Sequence, residues 1–196
     1  MRINRKPDAR KVMTVTKVRI SNTLSIVTGM KKSKAKIIIQ SVTDCMIALL
    51  TDGQKVAIKG CGILSTNHKE ERAGRNPKNG DYHLITARKV ITFGKSKDDS
   101  EKASIPKICS IISSLANVSL EEARAAFDVF IDYLDGVSKG LCRMELRGLG
   151  VFYFSIHPAG FKRNPSTGEQ VHCKERPILR FKASRLLLKS INGGSL

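Results

Sequence analysis

The sequence predicts an α+β protein in which one unit is built twice and the copies pack on each other. Three observations carry this. First, shifting the 196-residue chain by 88 positions places Arg75-Asn76-Pro77 on Arg163-Asn164-Pro165, Gly80 on Gly168, and Gly60 and Gly62 on Gly148 and Gly150. The same shift places Ala35 on Ala123, Arg88 on Arg176 and Phe93 on Phe181. One ungapped offset that aligns turns, glycine pairs and helical positions marks a tandem duplication. Second, each copy runs through the same order of hydrophobic periods, helical twice and then alternating. Third, neither helix pair can bury its apolar stripe against so small a sheet, so two units face to face would cover both.

In copy one, Ile20, Leu24 and Val27 mark a first helix; Ile37, Ile38, Val42, Met46 and Leu49 mark a second, ending near Gly53. "KVAIKGCGIL" reads as a strand bent at its Gly-x-Gly, and "HLITARKVITF" as the returning strand. Copy two is cleaner. Ser104 before Ile105-Pro106 is a helix start, followed by Ile108, Ile111, Ile112 and Leu115 on one face. Ser119 and Glu122 stand at capping-box spacing, and Ala123, Ala126, Phe127, Phe130, Ile131 and Leu134 carry that helix to about Ser138. "RMELRGLGVFYFSI" is the bent strand, "EQVHCKERPILRF" its return, and "ASRLLLKSI" a short closing helix. Each copy also holds a long hairpin tipped by Arg-Asn-Pro-x-x-Gly. The resulting boundaries are a basic N-terminal extension over 1–15, repeat one over 16–94, a linker over 95–103 and repeat two over 104–196. The join, "GKSKDDSEKAS", reaches up to roughly 35 Å when extended. That suffices for the halves to pair within one chain, and leaves open two chains exchanging halves.

Charge narrows the partner. The chain carries 35 Lys and Arg against 17 Asp and Glu, a net +18. Such an excess suits a polyanion, nucleic acid ahead of an anionic membrane. Residues 1–98 hold 21 basic and 7 acidic side chains (+14), and 99–196 hold 14 and 10 (+4). The opening "MRINRKPDARK" reads as a flexible basic arm, equally compatible with a solvated tail and with DNA contact. No stretch approaches the ~20 apolar residues of a membrane span, and the start lacks the apolar core of a signal peptide. Five scattered cysteines point to reduced thiols in a cytosol-like compartment. Cysteines and histidines show no metal-ligand spacing, so no metal or cofactor is expected. No carboxylate cluster, nucleophile–base pair or phosphate-cradling G-x-x-x-x-G-K suggests an enzyme.

"NHKEERAGRNPKNG" (Asn67 to Gly80), preceded by "GCGIL" and followed by "ARKVITF", closely resembles the HU and integration-host-factor family of DNA-bending, histone-like proteins. "GLGVF", "RNPSTGE" and "RPILRF" carry the resemblance in copy two, and together the copies span about Thr16 to Ile191. The resemblance implies an intertwined dimeric body under a saddle-shaped sheet, with two β-arms reaching around double-stranded DNA through its minor groove. Family members are dimers of one-repeat chains, so this chain looks like a dimer fused into a single, monomeric pseudo-dimer, nucleoid-associated in a cytoplasm. By position, Pro77 and Pro165 inherit the family's intercalating wedge. A rigid, apolar proline can enter an unstacked base step with little entropy of its own to lose.

Around those wedges, Arg75 and Arg163 are placed to enter the minor groove or bind phosphate, and Asn76 and Asn164 to bond base edges. Lys69, Arg72, Lys78, Arg88 and Lys89 would line the duplex along arm one; Lys162, Lys174, Arg176 and Arg180 would do so along arm two. On the body, Lys95, Lys97, Lys182, Arg185 and Lys189 could hold flanking phosphates. Such contacts give affinity and salt dependence rather than sequence readout. The alternative is a packaging protein that coats DNA or RNA without a defined kink.

The chain departs from the family in two places. Cys61 and Leu64 stand where aromatic residues are usual, whereas copy two has Leu149 and Phe152, thinning the aromatic core of the first half. Pro158 and Gly160 replace Glu70 and Arg72, which predicts a bulged or edge-like strand and an arm two less basic near its base. Finally, "KKSKAK" opens the second helix of copy one, while Glu121, Glu122, Asp128, Asp132 and Asp135 line its counterpart, favouring pairing of unlike copies.

Overall fold

The computed structural model describes residues 12–58, 60–76, 78–94 and 102–193. Its helices begin and end where local chemistry dictates. α1 (Lys17–Thr28) closes on Gly29 and α3 (Ile105–Ala116) on its counterpart Asn117, both left-handed, at φ 71° and 50°. Ser104 caps α3 by accepting from the Lys107 amide. At α4 (Leu120–Ser138) the Ser119 hydroxyl accepts from the Glu122 amide, and the Glu122 carboxylate accepts in return from the Ser119 amide. α2 (Lys32–Thr51) is the long helix of unit one, and α5 (Arg185–Ile191), capped by Ser184, closes unit two.

The Gly-x-Gly segments reverse the chain instead of bending one strand. In unit one, β2 (Lys55–Ile58) pairs antiparallel with β3 (Gly62–Lys69); in unit two, β8 (Cys142–Leu146) pairs antiparallel with β9 (Gly150–His157). Gly148 at φ 92° and Gly150 at φ 152° make the turn, a conformation closed to most side chains. A β-carbon on Gly150 would also overlap the Lys182 carbonyl.

β3 then pairs with β6 (Arg88–Gly94), and β9 with β12 (Arg176–Ala183). Beyond the sheets, β4 (Arg72–Arg75) pairs with β5 (Tyr82–Ile85), and β10 (Gly160–Arg163) with β11 (Gln170–Cys173), as two-stranded arms. Arm two breaks at Pro158-Ala159, as the proline predicts. Arm one breaks at Glu70-Glu71 with no proline, so the interruption belongs to the design of both arms.

The ends of the expected extension and linker are ordered strands. β1 (Met13–Thr16) runs parallel to β8, while β7 (Lys102–Ala103) runs parallel to β2. The segment preceding each helix pair thus completes the sheet of the other unit, giving strand orders β6-β3-β2-β7 and β1-β8-β9-β12. Val15 and Ala103 are buried by this exchange. Residues 1–11 and 95–101 lie outside the described part.

The two units share one core. α1 packs on α4 and α2 on α3, with the Thr23 and Tyr133 hydroxyls 2.7 Å apart. Phe152 lies fully buried among Phe181 and Phe130 of its own unit and Phe93 of the other, with ring centroids 4.6, 6.5 and 5.9 Å away. Lys34 and Glu122, counterparts under the offset of 88, meet each other at 2.5 Å, which puts this ion pair on the pseudo-twofold axis. The expected attraction between the basic and acidic helix starts is therefore realised here. Three residues expected in the apolar stripes are exposed instead. Val27 and its counterpart Leu115 sit in the last turns of α1 and α3 at 68% and 54% exposure. Ile37 precedes buried Ile38 and Ile39, and three consecutive helical residues cannot all face one side.

Candidate nucleic-acid interface

The two arm tips are built by the same bonds. In arm one the Asn76 amide donates to the Asp81 carbonyl and the Gly80 amide to the Asn76 carbonyl, both at 2.8 Å. In arm two the Asn164 amide donates to Glu169 and the Gly168 amide to Asn164, again at 2.8 Å. Each Asn side chain accepts from the amide two residues on, Lys78 in one tip and Ser166 in the other. Each Arg Nε donates to the glycine carbonyl, Arg75 to Gly80 at 3.0 Å and Arg163 to Gly168 at 3.1 Å. The Arg-Asn-x-x-x-Gly frame therefore closes the same reversal in both tips, and in each sequence the proline follows the Asn. Pro165 is exposed; Pro77 lies outside the described residues. Asn76 and Asn164 are half-buried, with one acceptor already committed to the turn.

The described cations on and below the arms are all exposed: Lys69, Arg72, Arg75, Lys78, Arg88 and Lys89 in unit one, and Lys162, Arg163, Lys174, Arg176, Arg180, Lys182, Arg185 and Lys189 in unit two. Lys95 and Lys97 fall outside the described residues. Strand alternation sorts the exposed set by face. In unit two, Phe152 and Phe181 point into the core, so the opposite face of the β9–β12 pair carries Arg176, Arg180 and Lys182 with Tyr153 and His157. In unit one, Leu64 and Phe93 point into the core, and the opposite face carries Lys69 and Arg88. Lys89 pairs with His68 on the helix-facing side, in a cleft shared with Thr51, Asp52 and Thr66, so it is parted from Lys69 and Arg88. The outer floor of unit one is polar beside Lys55: the Ser65 and Thr92 hydroxyls are 2.9 Å apart, and the Asn67 amide donates to Thr92 at 2.8 Å.

The root of arm two is thus more cationic than its loss of the Glu70–Arg72 equivalents suggests, since its charges come from β12. The field is felt by His157. Lys162, whose Nζ lies 3.0 Å from His157 Nδ1, is the main cause that holds this imidazole below its ordinary pKa, helped by partial desolvation and by Arg176 and Arg180. Sequence reasoning passed over His157, although counting in twos from Phe152 would have put it on the outer face. Tyr82 was missed too; the Arg75 guanidinium lies over its ring at 5.7 Å from the centroid. α5, with Arg185 and Lys189, lies against α2 and β6 of unit one, where Asn192 bonds both the amide and the carbonyl of Lys89. It therefore covers the outer edge of that sheet.

Two arms whose tips are closed by the same bonds, each bearing exposed cations, extend from one shared core. Comparison with known proteins identifies the family. The profile of the family described as Bacterial DNA-binding protein matches twice, over residues 15–104 and 105–192. The integration host factor subunit alpha of Actinobacillus succinogenes is 37% identical over 81 residues, covering 41% of this chain and 83% of the relative. DNA-binding protein HU of Synechocystis is 36% identical over 76 residues, covering 39% and 76%. A chain in the Anabaena HU–DNA cocrystal structure covers 42% of this chain and 90% of its own length, at 24% identity and a TM-score of 0.35. This chain belongs to the bacterial DNA-binding protein family and carries the family's unit in duplicate. No described helix is long and apolar enough to cross a membrane.

Proposed function

We infer that this chain is an architectural, non-enzymatic protein of the nucleoid that binds double-stranded DNA and bends it. In this reading both arms enter the minor groove, Pro77 and Pro165 wedge into base steps, and one chain serves as a pseudo-dimer. The observation that carries it is the matched pair of tips: the same backbone and side-chain bonds recur in both arms, and Pro165 is exposed in the second. Unstacking a base step costs a few kcal/mol, and the bend offsets this by bringing more phosphates against Arg88, Arg176, Arg180 and Lys182. Because the Arg Nε and one lone pair of the Asn carbonyl oxygen stabilise the turn, the outer Arg nitrogens and the Asn side-chain amide are the donors left for DNA, which suits readout of groove shape more than sequence.

Circular-permutation gel shifts with Pro77→Ala, Pro165→Ala and the double variant test this. Bending is expected to weaken in each single variant and to lose its sharp kink in the double. A protein that merely coats DNA or RNA would show no proline-dependent bend.

A further inference from the structure

Under the offset of 88, His157, Lys162, Arg176 and Arg180 correspond to Lys69, Gly74, Arg88 and Thr92. The cluster is therefore a property of arm two alone. Its geometry is set by pairing: Arg176 lies directly across the ladder from His157, Arg180 projects from the same face four residues on, and Lys162 reaches back across the Pro158-Ala159 break to the imidazole. We propose that this cluster is a proton-coupled phosphodiester clamp, in which a backbone phosphate seated among Lys162, Arg176 and Arg180 draws a proton onto His157. The inference rests on the reading that the arms bind DNA, and names a site within them.

The charges acting on His157 are the three cations Lys162, Arg176 and Arg180. Lys174 and Glu175 lie between β11 and β12, both exposed. In the free protein the cations favour the neutral ring, whose Nδ1 can accept from Lys162. A phosphate placed among them reverses the sign of the local field, so imidazolium becomes the favoured form and Lys162 is released to the phosphate. Binding then takes up a proton. Affinity is highest below the pKa of the free ring and falls as pH rises through the pKa of the bound one, by up to about tenfold for each unit between the two. Arm one holds the permanent cation Lys69 at the position of His157, so this clamp belongs to arm two. The clamp is therefore asymmetric, and gives the bound chain a polarity along the duplex.

The test is titration of a duplex long enough to span both arms, between about pH 5 and pH 8 at fixed ionic strength, a range that brackets the imidazole. Wild type, His157→Gln and His157→Lys are compared, and the His157 ring is followed by NMR with and without DNA. His157→Gln is expected to bind with the weak, high-pH affinity throughout, His157→Lys with the tight limit throughout, and the ring pKa to rise on binding. A His157→Gln profile that parallels wild type, or a ring pKa unmoved by DNA, overturns the clamp. A control separates this from the reading beneath it: if Arg75→Ala/Pro77→Ala/Arg163→Ala/Pro165→Ala binds the duplex as wild type does, the arms are not the interface and the proposed function itself fails.

Discussion

Phe152→Ala is the substitution that interrogates the shared core. Phe152 is fully buried and touches rings from both units, Phe93 on one side and Phe130 and Phe181 on the other. Truncating a buried Phe costs about 3–5 kcal/mol through lost transfer energy and the cavity left behind. Each aromatic pair adds roughly 0.5–1.5 kcal/mol beyond area, and the short Phe181 contact places the loss toward the upper end. For a cooperative unit of this size, about 4 kcal/mol lowers Tm by roughly 8–16 °C. The assay is thermal and chemical unfolding followed by far-ultraviolet circular dichroism and by tyrosine fluorescence. The two signals are expected to shift together in one transition, because Phe93 of unit one loses its partner along with unit two. Leu115→Ala, on an exposed helix end, serves as control and should stay within about 0.5 kcal/mol of wild type. Two separated transitions, with unit one unaffected, would refute the single core.

Further outcomes follow from particular contacts. Gly150→Ala must place a β-carbon against the Lys182 carbonyl and the Phe181 ring, so it should destabilise by at least about 1–3 kcal/mol, whereas Gly160→Ala, facing open space, should not; urea midpoints decide. Asn164→Ala removes the acceptor for the Ser166 amide and should speed amide exchange at that tip while leaving global stability unchanged. Arg180→Ala should reduce the slope of log affinity against log salt by about 0.9 if it neutralises one phosphate. Cys45 is fully buried, and burial, then neighbouring Cys109, push its thiol up to about 11; it should resist alkylation at neutral pH until the protein unfolds.

What the sequence disclosed was mostly local. The Ser119–Glu122 box, the Ser104 cap and the paired tips are settled within a few residues, so spacing alone reveals them. The exchanged strands were hidden because Met13 pairs with Cys142, far along the chain, and a four-residue strand carries too little periodicity to announce its partner. The glycine reversal was read as a bend because the same residue type serves both, and the left-handed φ values of Gly60 and Gly148 are invisible in composition. Lys89 was grouped with Arg88 by proximity in sequence, although parity with Ile91 and Phe93 already assigns it to the inner face. Arm two looked poorer in charge because Pro158 and Gly160 are conspicuous, whereas Arg176 and Arg180 act from the returning strand.

The most direct trial of a self-contained two-armed chain is the molar mass of the protein alone and on a short duplex, by native mass spectrometry. A free species of 21.6 kDa, and one such chain on each bent duplex, is the predicted result. Two chains on every duplex, with none bound singly at any concentration, would contradict it.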